Sequence, residues 1–445
     1  MANGRFFASA LIGCSLVLQA GTAWAAQSFQ DLRAQQLEDI AVFSAEVLDR
    51  DRSYTPRARA SAVQLLDRLR RDSGKLNRAT FALRLGEIVA LARNGHTEQK
   101  SGPLRQQMNR SPIHYFVGSD GAFVVDSQVK SVPVGAQVKR LGKLSIEQIQ
   151  DRLARYAAGN RGHREWMLYT VLESPELLHA LGATEAPDRF SITLAGNKPI
   201  WLRAMPADPA DAENWWGDRE LALASRARAP APLYLKEPAR GYRFEVFPDQ
   251  SLAYIQFRQN HDDSSGETIS DFTSRVAAGL KQQKPCFVIV DQRLNYGGDL
   301  NLTRGVMQML PQLIAKGGHV YAITGGKTFS AGVSSLGYLK QAAGARLTIV
   351  GQEIGDDLDF WAEGDRVSLP NSGLMFGFAT ERHTYARPCR EQYCHGSIVE
   401  HPIIVSDLKP QVPVPLKYRD YERGLDRSFA WVRDDLQRRR SGCTG

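Results

Sequence analysis

The sequence FVIVDQRLNYGGD, residues 287–299, decides the fold, together with TFSAG at residues 328–332. An uninterrupted apolar strand leads into a glycine pair in the first motif, and a glycine-containing loop leads into a lone serine in the second. Segments of this kind can place backbone N–H donors beside a hydroxyl nucleophile, where the donors stabilise an oxyanion as it forms. The two motifs therefore indicate acyl-transfer chemistry that still lacks a base.

Apolar strands alternate with helical segments around these motifs. We expect Pro311 to bend or split the helix that contains it, and Gly344 to close the helix that follows the serine. Continuous apolar strands that alternate with helices imply an α/β fold with a mostly parallel sheet, covered on both faces. The predicted strands are Leu252–Phe257, Phe287–Val290, His319–Ile323 and Arg346–Val350, and the predicted helices are Ile269–Leu280, Leu300–Ile314 and Ala331–Ala343.

The chain ahead of this unit divides into a helical part and a strand-rich part. Residues 28 to about 95 show apolar patterns of helical spacing, which indicate a helical N-terminal domain. Short alternating segments, such as Ala122–Val125 and Val132–Val138, indicate strands between glycine turns. The predicted boundaries are 1–25 for a signal peptide, 26–108 for the helical domain, 109–235 for a mixed middle region with an Ala/Pro-rich linker, and 236–445 for the catalytic domain.

The first 25 residues have the pattern of an export signal, because a single Arg5 precedes an apolar run and small residues flank Trp24. This predicts a periplasmic or secreted protein. Leu11–Cys14 is similar to a lipoprotein cleavage box, but apolar residues continue beyond it, so we favour anchoring through Cys14 less. No later segment approaches the roughly 20 apolar residues of a membrane span, so we expect no integral membrane segment. The net charge of +8 is spread without aromatic interleaving, so we expect no nucleic-acid partner.

Four cysteines remain beyond Cys14, and an even number in an exported chain makes disulfides plausible. Cys389 and Cys394 flank a polar turn and are the favoured pair. Cys286 opens a buried strand, where a cysteine also serves as a small apolar residue. His383 and His395 lie near the favoured pair in spacings that match no familiar ligand pattern, so we expect no metal ion and no organic cofactor.

Three motifs resemble the tail-specific, or C-terminal processing, serine protease family: DQRLNYGGD, TFSAG and IVGQEIG at residues 349–355. The ending that starts with LKPQVPVPL at residue 408 is also similar to that family. Its members have a crotonase-like α/β catalytic domain, often with a PDZ-like module, so the resemblance implies this architecture. GAQVKRLGK at residues 135–143 resembles the core of such a module, but glycine-rich carboxylate loops are not evident, which implies a degenerate PDZ-like region.

The resemblance also implies roles for the residues of the two opening motifs. Ser330 is the expected nucleophile. The oxyanion hole is expected to use the amide of Gly298 (or Gly297) and the amide of Ala331. From the sequence alone, the competing interpretation of Ser330 is an ordinary helix N-cap.

The general base is where this sequence differs from one branch of the family. That branch uses a lysine about 25 residues after the serine. Residues 351–359 contain no lysine here, and Lys327 and Lys340 match no motif position. The other branch, similar to tricorn protease, takes a histidine from a separate N-terminal region. RNGHT at residues 93–97 stands in the corresponding place, so His96 is the expected base.

The residue that orients His96 stays open among Glu381, Glu391 and Glu400. His261 and His163 are fallback bases, and each is expected at the surface. The resulting prediction is an exported serine endopeptidase or carboxyl-terminal processing peptidase, acting on peptide or protein substrates through a Ser330 acyl-enzyme. The alternative is an inactive ligand- or peptide-binding protein on the same scaffold. The oligomeric state is not predictable from these features.

Overall fold

The computed structural model describes residues 13–207, 223–224, 226, 229–264 and 266–443, except for the side chains of residues 13–27. Parts of the predicted signal peptide and linker therefore lie outside the described residues. Within the described chain, none of the helices combines the length and the apolar character that a membrane crossing requires.

Helices form the N-terminal region. Thr55 begins one of them by accepting a hydrogen bond from Ala58 N–H, and Asn77 begins the next by accepting one from Thr80 N–H. Such caps satisfy backbone donors that the first helical turn leaves unpaired. The helices are α1 (Gly13–Val42, continued by a π-helical turn at Phe43–Leu48), α2 (Pro56–Asp72), α3 (Arg78–Ala90) and α4 (Ser101–Gln107).

An antiparallel sheet with three helices follows. Its strand order is β1-β2-β3-β5-β6, and β4 pairs with β3. The predicted strand over Val132–Val138 is wrong in its first half, because turns occupy the chain up to Ala136 and β3 begins at Gln137. The elements are β1 (Ile113–Gly118), β2 (Gly121–Ser127), β3 (Gln137–Leu141), β4 (Leu144–Ser145), α5 (Ile146–Leu153), α6 (Arg161–Leu172), α7 (Pro175–Ala180), β5 (Arg189–Leu194) and β6 (Ile200–Arg203).

A second six-stranded sheet has β16 (Val412–Pro413) at one edge and the strand order β16-β11-β10-β9-β8-β7. All its neighbours are parallel except β7 and β8. Pro311 does not split its helix, which ends only at Leu313, because a proline so near the end removes few helical hydrogen bonds. The elements up to β11 are β7 (Tyr242–Phe247), β8 (Leu252–Phe257), α8 (Ile269–Gln283), β9 (Phe287–Asp291), α9 (Leu300–Leu313), β10 (His319–Thr324), α10 (Ala331–Ala343) and β11 (Leu347–Gly351).

The remaining chain forms two small hairpins, the last sheet strand and the C-terminal helices. Strand β12 pairs with β15, and β13 pairs with β14, both antiparallel. The elements are β12 (Asp359–Ala362), β13 (Arg366–Ser368), β14 (Met375–Gly377), β15 (Glu381–Thr384), α11 (Gly396–Glu400), β16 (Val412–Pro413), α12 (Tyr418–Glu422) and α13 (Arg427–Arg439).

Apolar side chains cover the parallel sheet on both faces. Ile255 and Val290 belong to a cluster that also contains residues of α8, α9 and α10, while Tyr254 and Ile289 belong to a cluster with residues of α13. This alternation follows from the two-residue period of a strand. The α/β class with a mostly parallel, doubly covered sheet and a helical N-terminal region is thus confirmed.

Two disulfides are present among the described residues. Cys389 and Cys394 form the predicted pair. Cys286 is not simply an apolar residue, because it is bonded to Cys443 and so ties the start of β9 to the chain's end.

Residues 94–100 are bound to the small hairpins of the C-terminal part. Trp361 N–H donates to Asn94 Oδ1 at 3.0 Å, and Lys100 N–H donates to the carbonyl of Met375 at 2.8 Å. Gly377 N–H donates to the carbonyl of Glu98 at 2.8 Å. These bonds place the N-terminal segment that carries His96 against the parallel-sheet unit.

Candidate active site

Ser330 lies between β10 and α10 in a backbone conformation that is unusual for a serine. Its φ is 54° and its ψ is −127°, and its side chain makes no capping hydrogen bond. A non-glycine residue held at positive φ costs roughly 1–3 kcal/mol and is retained mainly where the surroundings enforce it. A serine on a strained strand-to-helix turn is the arrangement that exposes the nucleophile in the α/β-hydrolases. The competing N-cap interpretation therefore lacks its defining bond.

The glycine pair lies against this turn. Gly297 and Gly298 have φ values of 104° and 137°. A Cβ on Gly297 would lie 2.7 Å from the Cβ of Ser330, and one on Gly298 would lie 2.5 Å from the carbonyl oxygen of Asn260. Only residues without a side chain fit both positions, so the glycines allow the backbone to approach the serine closely.

The amides of this region differ in their occupancy. Gly297 N–H donates to Asn295 Oδ1 at 3.0 Å, so it is already engaged. Within the described residues, neither Gly298 N–H nor Ala331 N–H has a hydrogen-bond acceptor. Two free donors therefore flank Ser330, one from the glycine pair and one from the first residue of α10, where a helix leaves its N–H groups unpaired.

A buried asparagine pair, Asn260 and Asn295, connects the glycine loop to the serine turn. Asn295 Nδ2 donates to Asn260 Oδ1 at 2.9 Å, and Asn260 Nδ2 donates to Ser335 Oγ and to the carbonyl of Ala331. Phe329 N–H donates to the carbonyl of Asn295. Both asparagines are fully buried. The sequence interpretation missed them, although Asn295 stands inside the LNYGG motif.

His96 and Ser330 line the same cavity, and the volume of this cavity is about 570 Å³. The ring of His96 stacks on Phe329 at 4.5 Å and on Phe360 at 5.5 Å between centroids. His96 Nε2 lies 3.4 Å from Asp356 Oδ2, and both atoms are buried without a hydrogen bond to any described residue. No hydrogen bond joins His96 to Ser330 among the described contacts. The structure thus brings the expected base and nucleophile to one cavity, without direct contact.

The three predicted orienting carboxylates do not pair with His96 in the described structure. Glu391 forms an ion pair with Arg382, and Glu400 is 75% exposed beside His401. Glu381 lies in β15, in register with Ala362 of β12.

Asp356, which the sequence interpretation did not name, is the carboxylate that lies beside His96. It is 6% exposed and belongs to the DD pair at residues 356–357. Two consecutive carboxylates between a buried strand and the next hairpin were the available signal. Spacing alone could not distinguish them from a solvated loop.

The two fallback histidines have different surroundings. His163 is buried, contrary to expectation, and its Nε2 lies 3.3 Å from Glu98 Oε2. Burial alone would raise the pKa of Glu98, but Lys100 and His163 outweigh it and lower that pKa to about 2. His261 is exposed, as expected, and its Nε2 lies 3.1 Å from the hydroxyl of Tyr296 at the cavity.

Comparison with known proteins gives structural matches. No protein-family model matches the sequence, and a search of curated proteins finds no match. Mature CPAF complexed with lactacystin is similar with a TM-score of 0.53 and 12% identity, and the match covers 93% of this chain and 98% of that one. Tricorn protease is similar with a TM-score of 0.39 and 13% identity, and the match covers 93% of this chain and 37% of that one. The photosystem II D1 C-terminal processing protease is similar with a TM-score of 0.37 and 11% identity, and the match covers 86% of this chain and 92% of that one. The first likeness shows that the chain shares the fold of CPAF.

Proposed function

We propose that this protein is a serine peptidase of the tail-specific protease family, with Ser330 as nucleophile and His96 as general base. The observation that carries the proposal is the strained Ser330 backbone between the free amides of Gly298 and Ala331, with His96 in the same cavity. The shared CPAF fold and the family motifs of the sequence support it. Its substrates are peptides or proteins, and the proposed reaction uses neither a metal ion nor an organic cofactor.

Acylation begins when Ser330 Oγ attacks the carbonyl carbon of the scissile peptide bond and a ring nitrogen of His96 accepts the hydroxyl proton. The carbonyl oxygen becomes an oxyanion and receives hydrogen bonds from Gly298 N–H and Ala331 N–H. His96 then returns the proton to the leaving amine as the C–N bond breaks. The missing contact between His96 and Ser330 is consistent with this order, because catalytic hydrogen bonds often tighten only when substrate binds.

Deacylation repeats the same proton movements with water. His96 takes a proton from a water molecule that attacks the acyl carbon, and the same two amides hold the second oxyanion. Ser330 Oγ leaves with the proton that His96 returns. The products are a carboxylic acid and the free enzyme.

Asp356 is the proposed positioning residue for His96. A buried carboxylate 3.4 Å from Nε2 stabilises the imidazolium that forms when His96 accepts a proton. A small rotation of either side chain converts this separation into a hydrogen bond. The pairing also satisfies two buried polar atoms that otherwise lack partners.

The finer architecture follows the same family assignment. We infer a crotonase-like catalytic domain at 236–445, a degenerate PDZ-like middle region within 109–235 and a helical domain at 26–108. The proposal for the middle region is supported by the antiparallel order of β1, β2, β3 and β5. In this view the middle region holds the His96 segment in place rather than binding a peptide terminus.

An exported, periplasmic or secreted location is part of the proposal. The signal-like residues 1–25 motivate it, and the two disulfides support it, because such bonds persist mainly in oxidising compartments. Cell fractionation with an antibody against the chain tests it, and recovery in the cytoplasm alone contradicts it.

Labelling with a broad-spectrum fluorophosphonate serine-hydrolase probe tests the reaction. We expect labelling of the unaltered protein, its loss in Ser330→Ala, and a decrease of about 10²–10⁴-fold in labelling rate in His96→Ala, because general-base catalysis contributes about that much. Ser270→Ala, an exposed serine of α8, is the matched control and should label normally. Circular dichroism should show that Ser330→Ala and His96→Ala are folded, so that their loss of labelling reports on the reaction. Unchanged labelling of Ser330→Ala would reject the proposal.

The alternative is an inactive binding protein on the same scaffold. The observation that favours it is the absence of a described hydrogen bond between His96 and Ser330. It predicts no probe labelling of the unaltered protein and retention of a peptide or apolar ligand by Ser330→Ala. Absence of labelling together with ligand binding that is identical in both proteins would replace the peptidase assignment.

A further inference from the structure

Three side chains from separate elements meet beside the active-site cavity: Glu363 after β12, His383 in β15 and His395 before α11. His383 Nε2 lies 3.3 Å from Glu363 Oε1, and His395 Nε2 lies 4.0 Å from the same oxygen. The two imidazole rings stack at 4.8 Å between centroids. One potential ligand atom from each residue lies within 4.8 Å of the others.

The buried Nε2 atom of His383 indicates that this cluster binds a ligand. The side chain is 3% exposed, and its Nε2 has no hydrogen bond with the described residues. A buried polar atom without a partner costs about 1–3 kcal/mol, so it requires an explanation. His395 Nδ1 is also buried and unpaired within the described structure.

The opposite nitrogen of His383 is held by a tyrosine. His383 Nδ1 lies 3.1 Å from the hydroxyl of Tyr385, which in turn lies 2.6 Å from Ser334 Oγ. When Tyr385 donates to Ser334, it accepts from His383 Nδ1–H, and Nε2 then presents a lone pair to Glu363. Metal-binding histidines are commonly oriented in this way through their second nitrogen.

We propose that Glu363, His383 and His395 form a binding site for a divalent transition-metal ion, with Zn²⁺ as the best match. Two imidazoles and one carboxylate are a set that zinc accepts while keeping a fourth position open. Ligand atoms around a tetrahedral zinc are roughly 3.4 Å apart, as follows from metal–ligand distances of about 2.1 Å. Side-chain shifts of about an ångström close the present separations. Ca²⁺ and Mg²⁺ prefer all-oxygen sites, so we expect neither to compete.

The position of Glu363 connects the site to the catalytic cavity. Glu363 lines the cavity that contains Ser330 and His96. A bound dication would neutralise the carboxylate and oppose the imidazolium that His96 forms during acylation. We therefore expect zinc to inhibit the enzyme. This effect rests on the proposed function, whereas zinc binding itself does not.

Direct binding is measured on the chelator-stripped full chain, purified without a polyhistidine tag. We expect isothermal titration with ZnCl₂, and mass spectrometry of the metal after dialysis, to give one tightly held zinc ion per chain. His395→Ala and Glu363→Gln should each weaken that binding by at least tenfold, since each removes a ligand. His401→Ala is the matched control, because His401 is a partly exposed histidine of the same region, paired with Glu400 outside the cluster.

Two variants keep the test decisive if one fails to fold. His395 is the more exposed of the two histidines and precedes a short helix without capping it by its side chain, so His395→Ala should fold normally. Zinc binding that is equal in the unaltered protein, His395→Ala and Glu363→Gln would overturn the proposal. So would the failure of the unaltered protein to bind zinc at concentrations up to about 100 μM.

A Ser330→Ala arm separates this proposal from the peptidase assignment. It should bind zinc as the unaltered protein does, whether or not the chain is a peptidase. If peptidase activity is present, zinc should inhibit the unaltered protein and should inhibit His395→Ala only at concentrations at least tenfold higher. Equal inhibition of both would refute the link between the metal site and the cavity, while the titrations still decide whether the site exists.

Discussion

Ser330 differs from an ordinary helix-capping serine in its backbone and in its side chain. A φ of 54° is costly for a serine, and the hydroxyl does not repay that cost with a capping bond. The strain is maintained by neighbours, because Phe329 N–H is held by Asn295 and Gly297 packs against the serine Cβ. Residue-scale geometry of this kind presents the hydroxyl to the cavity instead of to the helix.

Gly298→Ala should disrupt this arrangement. The added Cβ would lie 2.5 Å from the Asn260 carbonyl oxygen, at a φ of 137° that alanine rarely adopts. We expect a loss of about 3 kcal/mol in the free energy of unfolding, from steric overlap and backbone strain together. Probe labelling by Ser330 should fall about 10²-fold or more, because one oxyanion donor is displaced.

Gly305→Ala is the control for this experiment. Gly305 lies inside α9, and a Cβ there meets no atom within 4 Å. Alanine should stabilise the helix by about 1 kcal/mol relative to glycine. Urea denaturation compares the two variants, and equal stability of both would contradict the proposed close approach at Gly298.

Asp356→Asn should lower kcat by about 10²-fold or more while leaving KM nearly unchanged. An amide keeps the shape of the side chain but no longer stabilises the His96 imidazolium. Asp357→Asn is the matched control, since Asp357 is exposed and belongs to the same loop. The pH dependence of kcat/KM distinguishes a positioning role from a packing role. If Asp356 positions His96, the ascending limb of the pH profile should move in Asp356→Asn. If Asp356 only packs, the variant should lose stability and the ascending limb should stay in place.

At the scale of elements, strand β10 lies inside the parallel sheet, and the turn that carries Ser330 follows its carboxyl end. Its neighbours β9 and β11 are parallel to it, so the glycine pair after β9 and the serine after β10 lie at the same edge. Ligands usually bind in the crevice beyond the carboxyl ends of such strands. His319 is the first residue of β10, at the opposite end, and offers a test of the strand's stability away from the site.

The pKa of His319 is lowered to about 4, mainly by burial. The positive charges of Arg439 and Arg346 lower it further, whereas the negative charge of Asp435 partly opposes them. The unfolded chain binds this proton near pH 6.5, so the folded state is favoured fully above that pH and loses stability as the pH falls towards 4. The loss is about 3 kcal/mol, since one pKa unit corresponds to about 1.4 kcal/mol.

Replacement of His319 by Gln should remove this contribution. Urea denaturation at pH 7 and at pH 4.5 should then show a smaller decrease in stability for the variant than for the unaltered protein. Other titrating groups affect both proteins, so the difference between them isolates His319. Equal pH dependence would show that His319 titrates normally in the folded chain.

At the scale of the whole molecule, the candidate site is assembled across more than 230 residues of sequence. Asp51 is a buried anchor between the N-terminal region and the hairpin part of the chain. Its carboxylate accepts hydrogen bonds from Thr97 Oγ1 at 2.6 Å and from Ala379 N–H at 3.0 Å. Thr97 directly follows His96. The position of the proposed base therefore depends on this docking.

Asp51→Ala should therefore weaken both the fold and the reaction. We expect a loss of about 3 kcal/mol in stability, because buried donors are left without their acceptor. The rate of labelling of Ser330 should fall by about tenfold or more as the His96 segment loosens. Asp49→Ala is the control, since Asp49 is exposed two residues away. A destabilised variant that labels at the full rate below its melting temperature would show that docking does not position His96.

The sequence by itself determined the α/β class, the strands on either side of the glycine pair, the helix Ala331–Ala343 and the residues expected to surround the nucleophile. These depend on local patterns, such as apolar runs, helical spacing and glycine turns, which act within a few residues. Only the tertiary structure decided which carboxylate meets His96, which amide of the glycine pair stays free, that Cys286 bonds Cys443, and that Glu363 joins two histidines. Each of these depends on contacts between distant segments, and sequence spacing carries no information about such contacts until the chain is folded.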